Sequence, residues 1–159
     1  MKQISMLIGT LMAAFFMMAT ANANEAPLKT YTVQGSYEDV VQEAEDAIVN
    51  AGLNIDYRGK ISEMLDRTGK DIGATMKVYK SAEFMQFCSA RLTRNMMEAD
   101  PANMGVCPYI IFIYETTKTP GTITIGYRRP LGAKGEASMA ALGKIEALLD
   151  GIVKEAAGK

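Results

Sequence analysis

The residues of this chain that carry distinctive chemistry are few, and two sulfurs come first. Cys88 and Cys107 are its only cysteines, and Met96, Met97 and Met104 lie on or near the segment between them. A disulfide between the pair would close a loop worth about 3 kcal/mol in chain entropy. A working thiol pair, in redox or sulfur transfer, would use Cys88 as nucleophile and Cys107 as resolving partner. A helix N-terminus lowers a thiol pKa, and Cys88 stands where a helix should begin. Two inert thiols would act as small buried apolar groups. With Met96, Met97 and Met104 the two sulfurs also make a soft ligand set suited to copper(I). Against that stands methionine's ordinary use as a flexible core filler. Arg128 and Arg129 form an adjacent cationic pair that suits an anion; the plainer reading is a strand end paired with surface acids.

What is missing bounds the rest. The chain has no histidine, which removes Ser-His and Cys-His catalysis and histidine-ligated zinc or haem. Two cysteines cannot supply a four-cysteine zinc or iron–sulfur site within one chain. A formal charge of −1 lacks the basic field of a nucleic-acid binder. No acid–base constellation stands out, so no catalytic residue and no cofactor is assigned.

The first residues read as an address. Lys2, the apolar run from Ile4 to Met18 and the small residues Ala21-Asn22-Ala23 have the layout of a secretory signal peptide. The run is short for a bilayer span, so residues 1–23 are expected to be removed between Ala23 and Asn24, leaving no membrane segment. The expected location is periplasmic or secreted. Residues 24–28 read as a tether, 29–131 as the main domain and 132–159 as a C-terminal helix packed on it.

Element signals then position the sulfurs and arginines. Lys29–Gln34 alternates like a strand. Ser36 with Glu38 and Asp39 opens a helix over 36–51, with Val40, Val41, Ala44, Ala47, Ile48 and Ala51 as its apolar stripe and Gly52 as its stop. Leu53–Tyr57 alternates again. Ile61–Arg67 suits a short helix broken by Gly69–Gly73, and Thr75–Tyr79 an extended segment. Residues 84–88 fit a short buried strand. A helix follows over 89–99, presenting Leu92, Asn95, Met96 and Ala99, and Asp100-Pro101 ends it. Residues 109–116 and 122–128 form a hairpin around Thr119-Pro120-Gly121, which would gather Tyr109, Tyr114 and Tyr127 into an aromatic cluster. A last helix over 135–156 buries Met139, Leu142, Ile145, Leu149, Ile152 and Val153 and leaves Lys144, Glu146, Asp150 and Lys154 outside. Helical crossovers together with a tight hairpin predict a two-layer α+β fold, a mixed sheet of four to five strands covered by helices.

Phe87-Cys88-Ser89-Ala90, Asp100-Pro101, Cys107-Pro108-Tyr109, Tyr114-Glu115 and Tyr127-Arg128-Arg129-Pro130 together resemble the bacterial "domain of unknown function 302" family, over about residues 30–131. The family pattern places proline before the second cysteine, whereas here Pro108 follows it. The resemblance implies a compact α+β domain, often dimeric, with no established activity to carry over. The expected function is a non-enzymatic exported module that binds a small ligand or a periplasmic protein, with a homodimer as a candidate assembly. It would be braced by a Cys88–Cys107 disulfide. A thiol-dependent redox or sulfur-handling protein and a soft-metal carrier are the alternatives.

Overall fold

The computed structural model describes residues 26–159. The leader, its cleavage site at Ala23-Asn24 and the first part of the tether lie outside the described residues. Five strands, β1 (Leu28–Gln34), β2 (Tyr57–Lys60), β3 (Tyr79–Phe87), β4 (Tyr109–Thr116) and β5 (Thr122–Arg128), form one sheet in the order β1-β5-β4-β3-β2. Four helices accompany them: α1 (Tyr37–Asn50), α2 (Ile61–Thr68), α3 (Ala90–Ala99) and α4 (Glu136–Ala156). The architecture is the expected two-layer α+β fold, with α1 and α4 on one face. Among the described residues no helix is long and apolar enough to cross a membrane.

The sheet is not mixed. Every neighbouring pair is antiparallel. A helical crossover does join two strands of like direction, β1 and β2, but it carries the chain from one edge of the sheet to the other. The three later strands fill the space between them, so the parallel pair never touches. The β4–β5 hairpin is as expected and central, turning at Gly121, whose φ of 82° suits glycine.

Helix ends follow their caps. Ser36 Oγ accepts from the Asp39 N–H at 3.3 Å and opens α1, and Ser89 Oγ accepts from the Leu92 N–H at 3.4 Å and opens α3. Asp100 stops α3 by turning extended, and its carboxylate then accepts from the Ala102 N–H, starting the 3-10 turn Pro101–Val106.

The core lies between the sheet and α1 with α4. Val40, Ala44 and Ile48 of α1 and Leu142, Ile145 and Leu149 of α4 are buried against Met85, Phe87, Ile111, Ile113, Ile123 and Ile125. Four local expectations need correction. Leu53–Asp56 is irregular and β2 starts only at Tyr57, although Asp56 already donates to the Gln86 carbonyl. Residues 74–78 are irregular too, whereas β3 runs back from Phe87 to Tyr79 and excludes Cys88. On α3 it is Met96 that is fully buried, while Asn95 and Ala99 face solvent. On α4 Met139 is exposed and Ser138 takes the buried position, because a buried asparagine waits there.

That asparagine is Asn103, fully buried in the 3-10 turn. Its amide donates to the Met96 carbonyl at 2.8 Å and to Ser138 Oγ at 2.7 Å. Its oxygen accepts from the Ala133 N–H at 2.9 Å. One side chain thus ties the end of α3 to the start of α4.

Candidate functional site

Register explains how the two sulfurs meet. Phe87 ends β3 opposite Tyr109 near the start of β4, so Cys88 and Cys107 stand just past the paired ends of adjacent antiparallel strands. The 3-10 turn brings the chain back from α3, and the Cα atoms lie 6.3 Å apart with the sulfurs at disulfide distance, inside the usual span for a bridge. Thr93 Oγ1 stands 4.0 Å from Cys107 Sγ and 2.9 Å from Tyr109 Oη. Cys88, Thr93 and Met97 border an open groove along α3. Of the candidate soft-metal ligands, Met96 points into the core, Met97 is half-buried and Met104 faces solvent.

Strand alternation separates the arginine pair. Arg128, the last residue of β5, is exposed and donates from Nη2 to the Pro108 carbonyl at 3.4 Å. Arg129 turns to the helix layer and pairs with Glu146 of α4. The two therefore differ in exposure and in partner, although both border the same cleft at this end of the sheet. The same alternation splits the tyrosines. Tyr109 and Tyr127 are buried under the helices, whereas Tyr114 is only half-buried among the alternate residues of β4.

The polar groups of the helix layer were hard to foresee, because they come from distant strands. Asp150 Oδ1 accepts from Tyr31 Oη at 2.7 Å and pairs with Lys29 at 2.8 Å, while Oδ2 pairs with Lys154 at 2.8 Å. Burial alone would raise the Asp150 pKa, but the hydrogen bonds from Lys154, Lys29 and Tyr31 outweigh it and hold the carboxyl below its usual range. Tyr127 donates to Glu146 at 3.3 Å, and burial beside Asp150 and Glu146 pushes its hydroxyl pKa up. At the other end of the sheet Glu83, almost fully buried, pairs with Arg58 at 3.1 Å and with Lys60. Glu115 accepts the Gly121 N–H at 2.7 Å and pairs with Lys80 at 3.1 Å; the backbone bond first, and the lysine second, lower its pKa. Each of these carboxylates is held by a donor from another element: Asp150 and Glu146 tie α4 to the sheet, and Glu83 and Glu115 tie neighbouring strands to each other. They present no open acid–base pair.

An acid limb in stability follows. The Glu115 and Asp150 carboxyls have folded pKa values below their ordinary 4.5 and 3.8. The unfolded chain therefore binds protons first, and the stability that the pairs contribute above about pH 4.5 is lost as pH falls. Thermal melts should be level from neutral pH to about pH 5 and fall below it. In an Asp150→Asn, Glu115→Gln double variant the limb should be shallower; an unchanged limb would assign it elsewhere.

The opposite face of the sheet carries the clearest surface feature. Phe84 and Phe112 face each other across β3 and β4, with Ala82 opposite Tyr114 and Gln86 opposite Ile110. Tyr79 and Tyr114 rings lie 5.5 Å apart, Phe112 and Tyr114 6.3 Å, Tyr57 and Phe84 5.9 Å. Two glycines let these rings lie down on the sheet: a Cβ at Gly126 would come within 2.8 Å of the Phe112 ring, and one at Gly59 would overlap Phe84. Leu28, Phe84, Phe112 and Tyr114 line a shallow groove of about 250 Å³ there. Beside it the segment around α2 leaves Leu65, Ile72, Met76 and Val78 exposed. The sequence signal for this face was the glycine inside a strand, at Gly126, and the second row of apolar residues in β4.

Comparisons with known proteins bear on the fold and the family. The crystal structure of an uncharacterized conserved protein, DUF302, from Bacillus stearothermophilus superimposes with a TM-score of 0.66 at 14% identity. The match covers 82% of this chain and 98% of that one, and at such identity it shows the fold alone. No curated protein matches the chain. The family model described as domain of unknown function DUF302 matches residues 29–156, through the end of α4. The chain belongs to the DUF302 family.

Proposed function

We propose that this chain is an exported, non-enzymatic binding domain that works as a homodimer through the aromatic face of its sheet, braced by a Cys88–Cys107 disulfide. The observation that carries the reading is that face. By the strand register it comprises Thr30 and Thr32, Thr122 and Thr124, Ile110, Phe112 and Tyr114, and Ala82, Phe84 and Gln86, with Arg128 as its charged position at one end. A surface with so little charge meets a second copy of itself without like-charge repulsion, and it has large rings to bury. Two such sheets pack about 10 Å apart, face to face, around a two-fold axis. The paired state of the buried carboxylates supports a binding role over catalysis, and the layout of residues 1–23 supports export.

Sedimentation equilibrium of the chain without residues 1–23 tests the assembly. A dimer is expected at micromolar concentration, and Phe112→Lys should shift dissociation at least a hundredfold while leaving far-UV circular dichroism unchanged, because Phe112 is half-exposed and lies on the face away from the core. A wild-type monomer at tens of micromolar would overturn the proposed dimer.

A further inference from the structure

A second cavity lies at the end of the sheet, between the 3-10 turn and the segment that leaves β5. It has a volume of about 270 Å³, and its walls are mainly apolar: Pro27, Val106, Ile110, Pro130, Leu131 and Leu149. Arg128 stands at this cleft as its exposed cation. Its neighbour Arg129 also borders the space but is paired with Glu146. The guanidinium of Arg128 has five N–H donors, and the Pro108 carbonyl, at 3.4 Å, takes one of them. A fork left mostly to solvent beside an apolar trough is a matched pair of features. The fork fits a planar carboxylate by two parallel hydrogen bonds, and the trough removes an attached hydrocarbon from water.

We infer that this cleft binds a small amphiphilic monocarboxylate, with Arg128 holding the carboxylate and Ile110, Val106 and Leu131 enclosing its apolar body. The cleft is smaller than the roughly 300–1,000 Å³ of sites for drug-sized ligands, which selects a short-chain or single-ring acid. Among the described residues of the cleft Arg128 is the one exposed cation, which favours one negative charge over a phosphate dianion, and apolar walls disfavour a sugar acid. The walls come from one chain, so the cleft is complete in a monomer; Ile110 and Arg128 also stand at one end of the face proposed for pairing, and Phe112→Lys tests the cleft without that pairing.

Octanoate, 1-octanol and inorganic phosphate are the probes, titrated into isotopically labelled protein without residues 1–23 and followed by amide chemical shifts. The same titrations on Phe112→Lys separate this site from the sheet face. Octanoate should saturate, with its shifts centred on Gly105, Ile110 and Leu131, in both proteins. 1-Octanol should bind at least tenfold more weakly. Arg128→Gln should weaken octanoate at least tenfold and leave the alcohol unchanged. Phosphate binding as tight as octanoate, equal binding of acid and alcohol, or an unaffected Arg128→Gln variant would each overturn the assignment. Shifts confined to Phe84, Phe112 and Tyr114 that vanish in Phe112→Lys would also overturn it, and would place the ligand on the sheet face.

Discussion

Replacing Cys107 by serine should lower the free energy of unfolding by about 3 kcal/mol, within the roughly 2–5 kcal/mol usual for a native disulfide in a small secreted domain. The bridge would close a loop of 19 residues in sequence separation that contains all of α3, its 3-10 turn and Asn103. Without it the unfolded chain recovers the freedom of that loop, while the antiparallel register of β3 and β4 still brings positions 88 and 107 together in the folded state. Urea unfolding of wild type and variant, with and without reductant, reads the loss directly. Reduction should destabilise the wild type and leave the variant unchanged. Intact mass after alkylation should show no labelling of native wild type and one label on the variant at Cys88. A loss under about 0.5 kcal/mol, coupled with fast labelling of both sulfurs in mildly reduced protein, would instead identify a working thiol pair, since Cys88 adjoins the N-terminus of α3.

The second large effect is expected at Asn103. Asn103→Leu keeps the number of side-chain heavy atoms but removes the partner of the Ala133 N–H and of Ser138 Oγ and one of the two donors to the Met96 carbonyl, which keeps the Asp100 N–H. Leaving buried polar groups unpaired costs about 1–3 kcal/mol each before relaxation, so a net loss of about 2–4 kcal/mol is expected. The denaturation midpoint should fall with an unchanged slope, and hydrogen exchange should quicken first at the start of α4. Asn103→Asp is the informative companion. It preserves the acceptor for Ala133 but sets a buried, ionised oxygen against the Met96 carbonyl, so at neutral pH it should cost at least as much as leucine. A leucine variant within 1 kcal/mol of wild type would show that the helices hold their positions without this asparagine.

Sequence periodicity located what depends on neighbours within one element. The Ser36 cap, the α1 stripe from Val40 to Ile48 and the turn at Gly121 are local events, and the structure has each where the pattern placed it, except that the stripe stops short of Ala51, which is exposed. What escaped depends on partners far along the chain. Glu146 and Asp150 look like solvent residues on a helix wheel, yet Arg129 and Tyr127 wait for one and Lys29 and Tyr31 for the other. The exposed Met139 and buried Ser138 exchanged roles for the same reason: Asn103 supplies a polar partner that no window around α4 contains. The mixed sheet was a failure of topology, because a crossover helix tells the direction of two strands and not which later strands come between them. The candidate site was legible as a cysteine pair and an arginine pair, but only the register revealed that the first converges and the second diverges.

The strand order also sets a timetable. β1 is the first element of the domain to be synthesised, and its ladder partner is β5, the last strand. Until Arg128 has left the ribosome, β1 has nothing to pair with and one side of β4 stays open. Contacts that join the two ends of a chain form late and slowly, and unpaired strand edges invite association in the interval. A nascent chain halted at Thr116 would hold the full apolar rows of β4 without the strand that covers their edge. The turn and β5 that follow, residues 117–128, therefore end the exposure of both strands at once.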